Sequence, residues 1–165
     1  MNGNSHQAEN FPPRINFLYI NIDGASKGNP GESAISVVVR GEDKKILEEY
    51  SENIGQATGN HAEYVAASRA LEIAAKYCRN EIKIFSDSKL LVNQLTGRYR
   101  IRDKKLFAMI TQIKLLEHLF SRVRYFHIER ENNYQANELA NKVFQQRRTN
   151  NFSDKKWNTG QRQLE

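Results

Sequence analysis

Three β-patterned runs crowd residues 16–53 with no helix between them, and from Asn60 onward helical and strand patterns take turns. That change of order constrains the fold more than any other feature of the chain. In residues 16–22 the side chains of Leu18, Ile20 and Ile22 point one way, and those of Tyr19, Asn21 and Asp23 the other. SAISVVVRG and KKILEEYSEN read as two further strands joined by a tight turn at Gly41-Glu42-Asp43, so an antiparallel meander is expected. A glycine-rich turn is expected directly after Asp23. Residues 60–77 then read as an alanine-rich helix, EIKIFS as a short buried strand, and SKLLVNQL as a helix reaching Gly97. LFAMITQIKLLEHLF has the pattern of a long amphipathic helix and RVRYFHIE that of a last strand. NNYQANELANKVFQQ closes as a helix with Asn132 or Asn133 available as its cap. The order is βββ–α–β–α–α–β–α. Strands separated by helices pair in parallel through right-handed crossovers. The expected fold is therefore α/β: a mixed five-stranded sheet, three strands antiparallel and two parallel, with helices on both faces.

The chain has 165 residues, 39% of them hydrophobic, which suits one domain with its own core. Residues 16–146 hold all the patterned elements; 1–15 read as a flexible N-terminal lead and 147–165 as a polar, basic C-terminal tail. A formal net charge of +6 favours an anionic partner, nucleic acid ahead of an acidic membrane surface. Cys78 is the only cysteine, so the chain can form neither an internal disulfide nor a cysteine-rich metal motif. A reducing, cytoplasmic setting is the natural expectation. No apolar run approaches the ~18–20 residues of a membrane span, and the first residues lack the shape of a secretory signal. The tail reads as solvated, with a second nucleic-acid contact through Trp157 and its basic neighbours as the alternative.

Three carboxylates stand where charge is costly. Asp23 ends the first strand, and Asp87 stands at the carboxyl end of EIKIFS, the edge at which open α/β sheets place their ligands. Glu63 heads a helix face that continues through Ala66, Ala67, Ala70, Leu71 and Ala74, the small-residue stripe that should pack on the sheet. Each has an ordinary explanation taken alone: a turn-forming Asp before Gly24, a helix-start charge near the dipole, and a helix N-cap. Together they are harder to dismiss, because the topology brings all three to one edge. Clustered carboxylates repel one another unless a cation neutralises them, and oxygen-only ligands suit Mg²⁺ or Mn²⁺. Two such ions about 3.5–4 Å apart can activate water and stabilise the leaving oxygen in phosphodiester cleavage.

DGASKGNPG at 23–31, TGNHAEYVAASRAL at 58–71, SDSKLLVNQL at 86–95 and RENNYQANELAN at 130–141 resemble ribonuclease HI, in the short form without a basic-protrusion helix. The resemblance implies a ribonuclease H-like fold. It also implies a two-metal endonuclease that cuts the RNA strand of an RNA–DNA hybrid, leaving 5′-phosphate and 3′-hydroxyl ends; a monomer is the separate expectation for its assembly. By position, Asp23, Glu63 and Asp87 match the first three metal-binding carboxylates of the family. The family's fourth motif reads N-x-x-A-D-x-L-A. Here it is Asn133-Tyr134-Gln135-Ala136-Asn137-Glu138-Leu139-Ala140, so Asn137 stands where an aspartate is expected. The amide keeps a carbonyl oxygen but loses the charge, which weakens attraction for a divalent ion and should weaken catalysis. Glu138 is no substitute, because adjacent helical residues point about 100° apart. Two origins stay open: an asparagine introduced to slow cleavage while preserving binding, or a natural one serving a weaker site.

The same resemblance places Ser26, Gly28, Asn29 and Asn60 where the family reads RNA 2′-hydroxyls, and Thr58 where it holds a DNA-strand phosphate. Gly59 replaces a frequent Asn, and Lys89, after Ser88, replaces a frequent Gln, trading a minor-groove hydrogen bond for phosphate attraction. GRYRIRDKK, from Gly97 to Lys105, lies where longer members carry their protrusion. It is either a solvated loop or a phosphate contact made by Arg98, Arg100, Arg102, Lys104 and Lys105. Family members often place a mobile histidine in the loop after the last strand. His127 falls within the strand instead and is expected to be structural or on the surface; Glu131, beside Arg130 in the loop, is an accessory candidate for water handling or product release. The rival readings are a catalytically impaired hybrid- or duplex-RNA-binding module and a transposase-like or integrase-like nuclease.

Overall fold

In the computed structural model, which describes residues 15–146, β1 (Phe17–Ser26) lies in the middle of a five-stranded sheet. The order is β3-β2-β1-β4-β5, with β2 (Gly31–Arg40), β3 (Ile46–Ala57), β4 (Glu81–Ser86) and β5 (Arg122–His127). β1 pairs antiparallel with β2, and β2 with β3; β1–β4 and β4–β5 are parallel. The helices are α1 (Gly59–Ala74), α2 (Lys89–Leu95), α3 (Lys104–Glu117) and α4, formed by residues 134–146 after a 3₁₀ turn at Arg130–Asn133. The expected order of elements and the mixed sheet are both present. Residues 96–103 join α2 to α3 directly, without a protrusion helix. The expected tail at 147–165, and all but the last residue of the expected lead at 1–15, lie outside the described residues.

Alternation decides the layers. Leu18, Ile20 and Ile22 of β1, Ile35, Val37 and Val39 of β2, and Ile82 and Ile84 of β4 meet Ala66, Ala67, Ala70 and Leu71 of α1 in one fully buried cluster. Each Ile or Leu so buried contributes roughly 1.5–3 kcal/mol. The alanines let the α1 backbone lie close to the sheet. On the other face α4 is seated by Ser36, whose hydroxyl donates to the Ala136 carbonyl at 2.6 Å. Ala34 and Val38 are buried on that side, as are Ala136, Ala140 and Phe144 of α4. Covered on both faces, β2 reads as the unbroken run Val37-Val38-Val39 rather than as an alternation.

Five local expectations are corrected. β1 does not stop at Asp23: it stays in register with β2 to Ser26↔Ser33, and the turn begins only at Lys27. β3 likewise runs on to Ala57. α1 ends at Ala74 and α2 at Leu95, short of Tyr77 and Gly97. Asn132 and Asn133 do not cap α4. The 3₁₀ turn uses the Asn132 amide, which donates to Glu129 O at 2.9 Å, and the Asn133 side chain is spent on β1. No helix among the described residues is long and apolar enough to cross a membrane.

Candidate active site

β1 hands the chain to β2 on one side, and its parallel neighbour β4 arrives by way of α1 on the other. A crevice opens at the carboxyl ends of strands where a sheet switches direction in this way. Pairing between β1 and β4 ends at Asn21↔Phe85, so Asp23 and Asp87, two residues further along each strand, come level across the crevice. Glu63 reaches it from α1. Ligand oxygens of Asp23, Glu63 and Asp87 all lie within 4.8 Å of one another.

The ordinary explanations of these residues do not hold in the fold. Asp23 sits inside a strand opposite Ser36, not in a turn. Glu63 is the fifth residue of α1, beyond the first turn, and only 8% exposed. Ser88, not Asp87, caps α2, its hydroxyl accepting from the Leu91 amide at 3.3 Å. The convergence depends on Gly24. A Cβ there would stand 2.4 Å from the Glu63 nitrogen and 2.5 Å from the Ala62 carbonyl carbon. The glycine therefore serves a close approach between strand and helix rather than a turn. Gly24→Ala is expected to push α1 off β1 and cost about 3 kcal/mol, read as a lowered urea midpoint. A midpoint equal to the parent's would show that α1 does not bear on this position.

Burial makes the cluster electrostatically unstable without a counter-charge. Burial, and then the Asp87 charge, raise the Asp23 carboxyl to about 6, although Arg130 and the Gly24 amide pull it back. Glu63 is pushed well above the usual carboxylate range by burial, then by Asp23 and Asp87. Asn137 joins from α4, its amide nitrogen donating to Asp87 Oδ2 at 3.4 Å and to Arg130 O at 3.3 Å. Its Oδ1 is buried with no hydrogen-bond partner. Three mutually repelling carboxylates beside an unsatisfied carbonyl oxygen form an all-oxygen donor set, the chemistry of a hard divalent cation.

A polar network sets α4 against this edge. Arg40 donates to Asn21 Oδ1 at 2.9 Å and to Gln135 Oε1. The Asn21 amide donates to Asn133 Oδ1 at 3.0 Å, and Asn133 donates to Ile22 O at 2.9 Å. Reading the sequence missed Asn21 and Arg40 as supports of the site. The one available signal was a polar residue two positions before Asp23 on the same side of β1.

An open cleft of about 460 Å³ surrounds the carboxylates. Gly59, Asn60, Ser88 and Arg130 line it, and Arg130 Nη1 stands 3.8 Å from Asp87. Ser26, Gly28, Asn29 and Thr58 are not among the residues of the cleft wall: the Ser26 hydroxyl donates to Gly28 O at 2.6 Å and Ala57 O at 3.0 Å, and Thr58 caps α1 just before Gly59. Lys89 is the exposed first residue of α2. Glu131 is exposed in the 3₁₀ turn and not part of the wall; Glu129 is. His127 is exposed, as expected of a surface residue, and it also lines the cleft. Arg98 and Arg100 are exposed between α2 and α3, away from the cleft wall.

Residues 21–143 match the family model described as Reverse transcriptase-like. A bifunctional protein of Mycobacterium tuberculosis is 37% identical over 125 residues, 75% of this chain and 34% of that protein. The chain thus spans about a third of the length of that relative. Ribonuclease HI of Halobacterium salinarum is 37% identical over 132 residues, 80% of this chain and 66% of the relative. The crystal structure of RNase H1 from that archaeon superposes with a TM-score of 0.76 at 35% identity, over 79% of this chain and 98% of that one. LC11-RNase H1, solved in complex with an RNA/DNA hybrid, matches with a TM-score of 0.72 at 34% identity, over 76% of this chain and 94% of that one.

Proposed function

The chain belongs to the ribonuclease HI family, in its short form, and we propose that it hydrolyses the RNA strand of RNA–DNA hybrids with divalent-cation assistance, leaving 5′-phosphate and 3′-hydroxyl ends. The observation that carries this reading is the meeting of Asp23, Glu63 and Asp87 oxygens within 4.8 Å at the sheet's switch point. Asp23, Glu63 and Asp87, with Asn137 beside them, would hold two cations, Mg²⁺ or Mn²⁺ by the donor chemistry, which when bound would lower the pKa of a water and offset charge on the leaving oxygen.

The chain's own residues do the rest. Asp23 and Asp87 present oxygens from adjacent strands, and Asn137 adds a neutral carbonyl from α4. Glu63 approaches from the opposite side of the sheet and has a second oxygen with which to accept from a ribose 2′-hydroxyl. Gly59 and Asn60, on the same wall, offer further hydrogen-bonding groups to that hydroxyl, the group that tells RNA from DNA. Arg130, with an exposed guanidinium beside Asp87, draws in a backbone phosphate. Arg98, Arg100 and Arg102 anchor the flanking duplex, so affinity falls as salt rises.

The second reading, a hybrid-binding module with little turnover, is favoured by one detail: the Asn137 amide faces Asp87 with its nitrogen. Labelling each strand of a hybrid separately and adding Mg²⁺, then Mn²⁺, distinguishes the readings. Cuts in RNA alone, with 5′-phosphate ends, are expected. Binding without cuts under either metal supports the module, and cuts in DNA would overturn both.

A further inference from the structure

The sheet face turned away from α1 carries four rings in a continuous line across three strands: Phe17 and Tyr19 on β1, Phe85 on β4 and Phe126 on β5. Successive centroids are 5.3, 6.2 and 5.1 Å apart. Cations are interleaved with them. Lys83 Nζ stands 4.5 Å from the centre of Phe17 and 5.3 Å from that of Tyr19, and Lys44 stands 5.5 Å from Tyr19. Arg124 lies level with Lys83 on β5, and Arg122 one pleat before it. Glu81, bonded to Arg124, is the acid among the paired positions of this stretch.

The side chains that bond to α4 and the turn before it, Asn21, Ser36 and Arg40, belong to β1 and β2. The β4–β5 part stays accessible: Arg122 and Arg124 are exposed, while Lys83, Phe85 and Phe126 are half-buried.

Cation–π contacts at an exposed site contribute only about 0.5–1 kcal/mol each, so they account for the lysines' positions but not for a basic, ring-lined face as a whole. Its charge selects an anionic occupant. Residues 147–165 carry Arg147, Arg148, Lys155, Lys156 and Arg162 against Asp154 and Glu165, so they share the sign of the face, as does a second copy of it. An anion whose apolar groups are flat and repeat along a flexible backbone is a single-stranded nucleic acid. The line of rings also begins at the cleft. Phe85 precedes Asp87 by two residues, about 7 Å along a strand, and Phe126 adjoins His127 on the cleft wall.

We propose that this face binds a single-stranded nucleic-acid extension running on from the duplex in the cleft, with bases against Phe85 and Phe126 and phosphates on Lys83, Arg122 and Arg124. The proposal goes beyond the cleavage reading, and its test needs no cleavage. With the full chain in EDTA, fluorescence anisotropy would compare a blunt RNA–DNA hybrid, the same hybrid with an oligothymidine extension, and oligothymidine alone. The extension is expected to tighten binding about tenfold at low salt. Lys83→Glu combined with Arg122→Glu should erase that gain while leaving blunt-hybrid affinity unchanged. Should that pair unfold, Phe126→Leu is expected to reduce the gain with little effect on the fold. A halogenated uracil in the extension should crosslink to β4 or β5 of the unaltered chain. Equal affinity for blunt and extended hybrids would overturn the proposal. So would variants that weaken both alike, or self-association lost in the double variant with no effect on the extension. An extension gain in a chain that cuts neither strand would sink only the enzymatic reading.

Discussion

Asp23→Asn is expected to lower the rate of hybrid cleavage by about 10³-fold, and in metal-free buffer the same change should make the protein more stable. The two effects have one origin. Asp23 is 3% exposed and lies beside Asp87 and Glu63, so its ionised form is paid for by the rest of the fold. Its carboxyl rises from 3.8 to about 6 on folding. Between those values the unfolded chain loses its proton first, so folding becomes less favourable as pH rises. Above the upper value the whole penalty is present, about 2–3 kcal/mol. Below the lower value both states are protonated and nothing is lost. The asparagine carries no charge at any pH. In EDTA its advantage should therefore be full at about pH 8, worth roughly 5–10 °C in Tm, and fade by about pH 4. Mg²⁺ should reverse the order near pH 8, because it would stabilise the parent by offsetting the repulsion and have less to offset in the variant. Melting both proteins at the two pH values, with and without Mg²⁺, reads all of this. A variant that cleaves at the parental rate, or melts with the parent in EDTA near pH 8, would remove Asp23 from the cluster.

Asn137→Asp should raise cleavage about tenfold at limiting Mg²⁺ and less at saturation, because added negative charge strengthens cation binding before it alters chemistry. The structure adds a cost that the sequence did not suggest. The Asn137 nitrogen donates to Asp87 and to the Arg130 carbonyl. A carboxylate cannot donate, and it would face Asp87 with like charge. Metal-free stability is expected to fall by about 1–3 kcal/mol, and Mg²⁺ should restore it. A Mg²⁺ titration of rate and of Tm on parent and variant gives both readouts. An unchanged or lower rate at limiting Mg²⁺ would count against a metal-linked role for this position.

The order of strands and helices was legible because period is a local property. Leu18, Ile20 and Ile22 alternate within a few residues, and Glu63 shares its stripe with Ala66 and Ala70, one and two turns away. The three carboxylates were legible for a related reason: each interrupts a pattern that predicts burial. Gly24 was misread because its neighbours, Ala62 and Glu63, lie almost forty positions along the chain, and a glycine before a turn looks the same as a glycine under a helix. Asp87 and Ser88 compete for one cap, and only the path of the backbone out of β4 awards it to Ser88.

Local order in a chain arises from residues close enough to repeat, so element types, their succession and the costly charges could be read in one dimension. Distances between those charges could not, nor could the unpaired oxygen of Asn137 or the bonds from Asn21 and Arg40 that hold α4. Those contacts join segments from a few tens to about a hundred residues apart, and their geometry exists only once the sheet's twist and the close seat of α1 on Gly24 have set where each side chain ends.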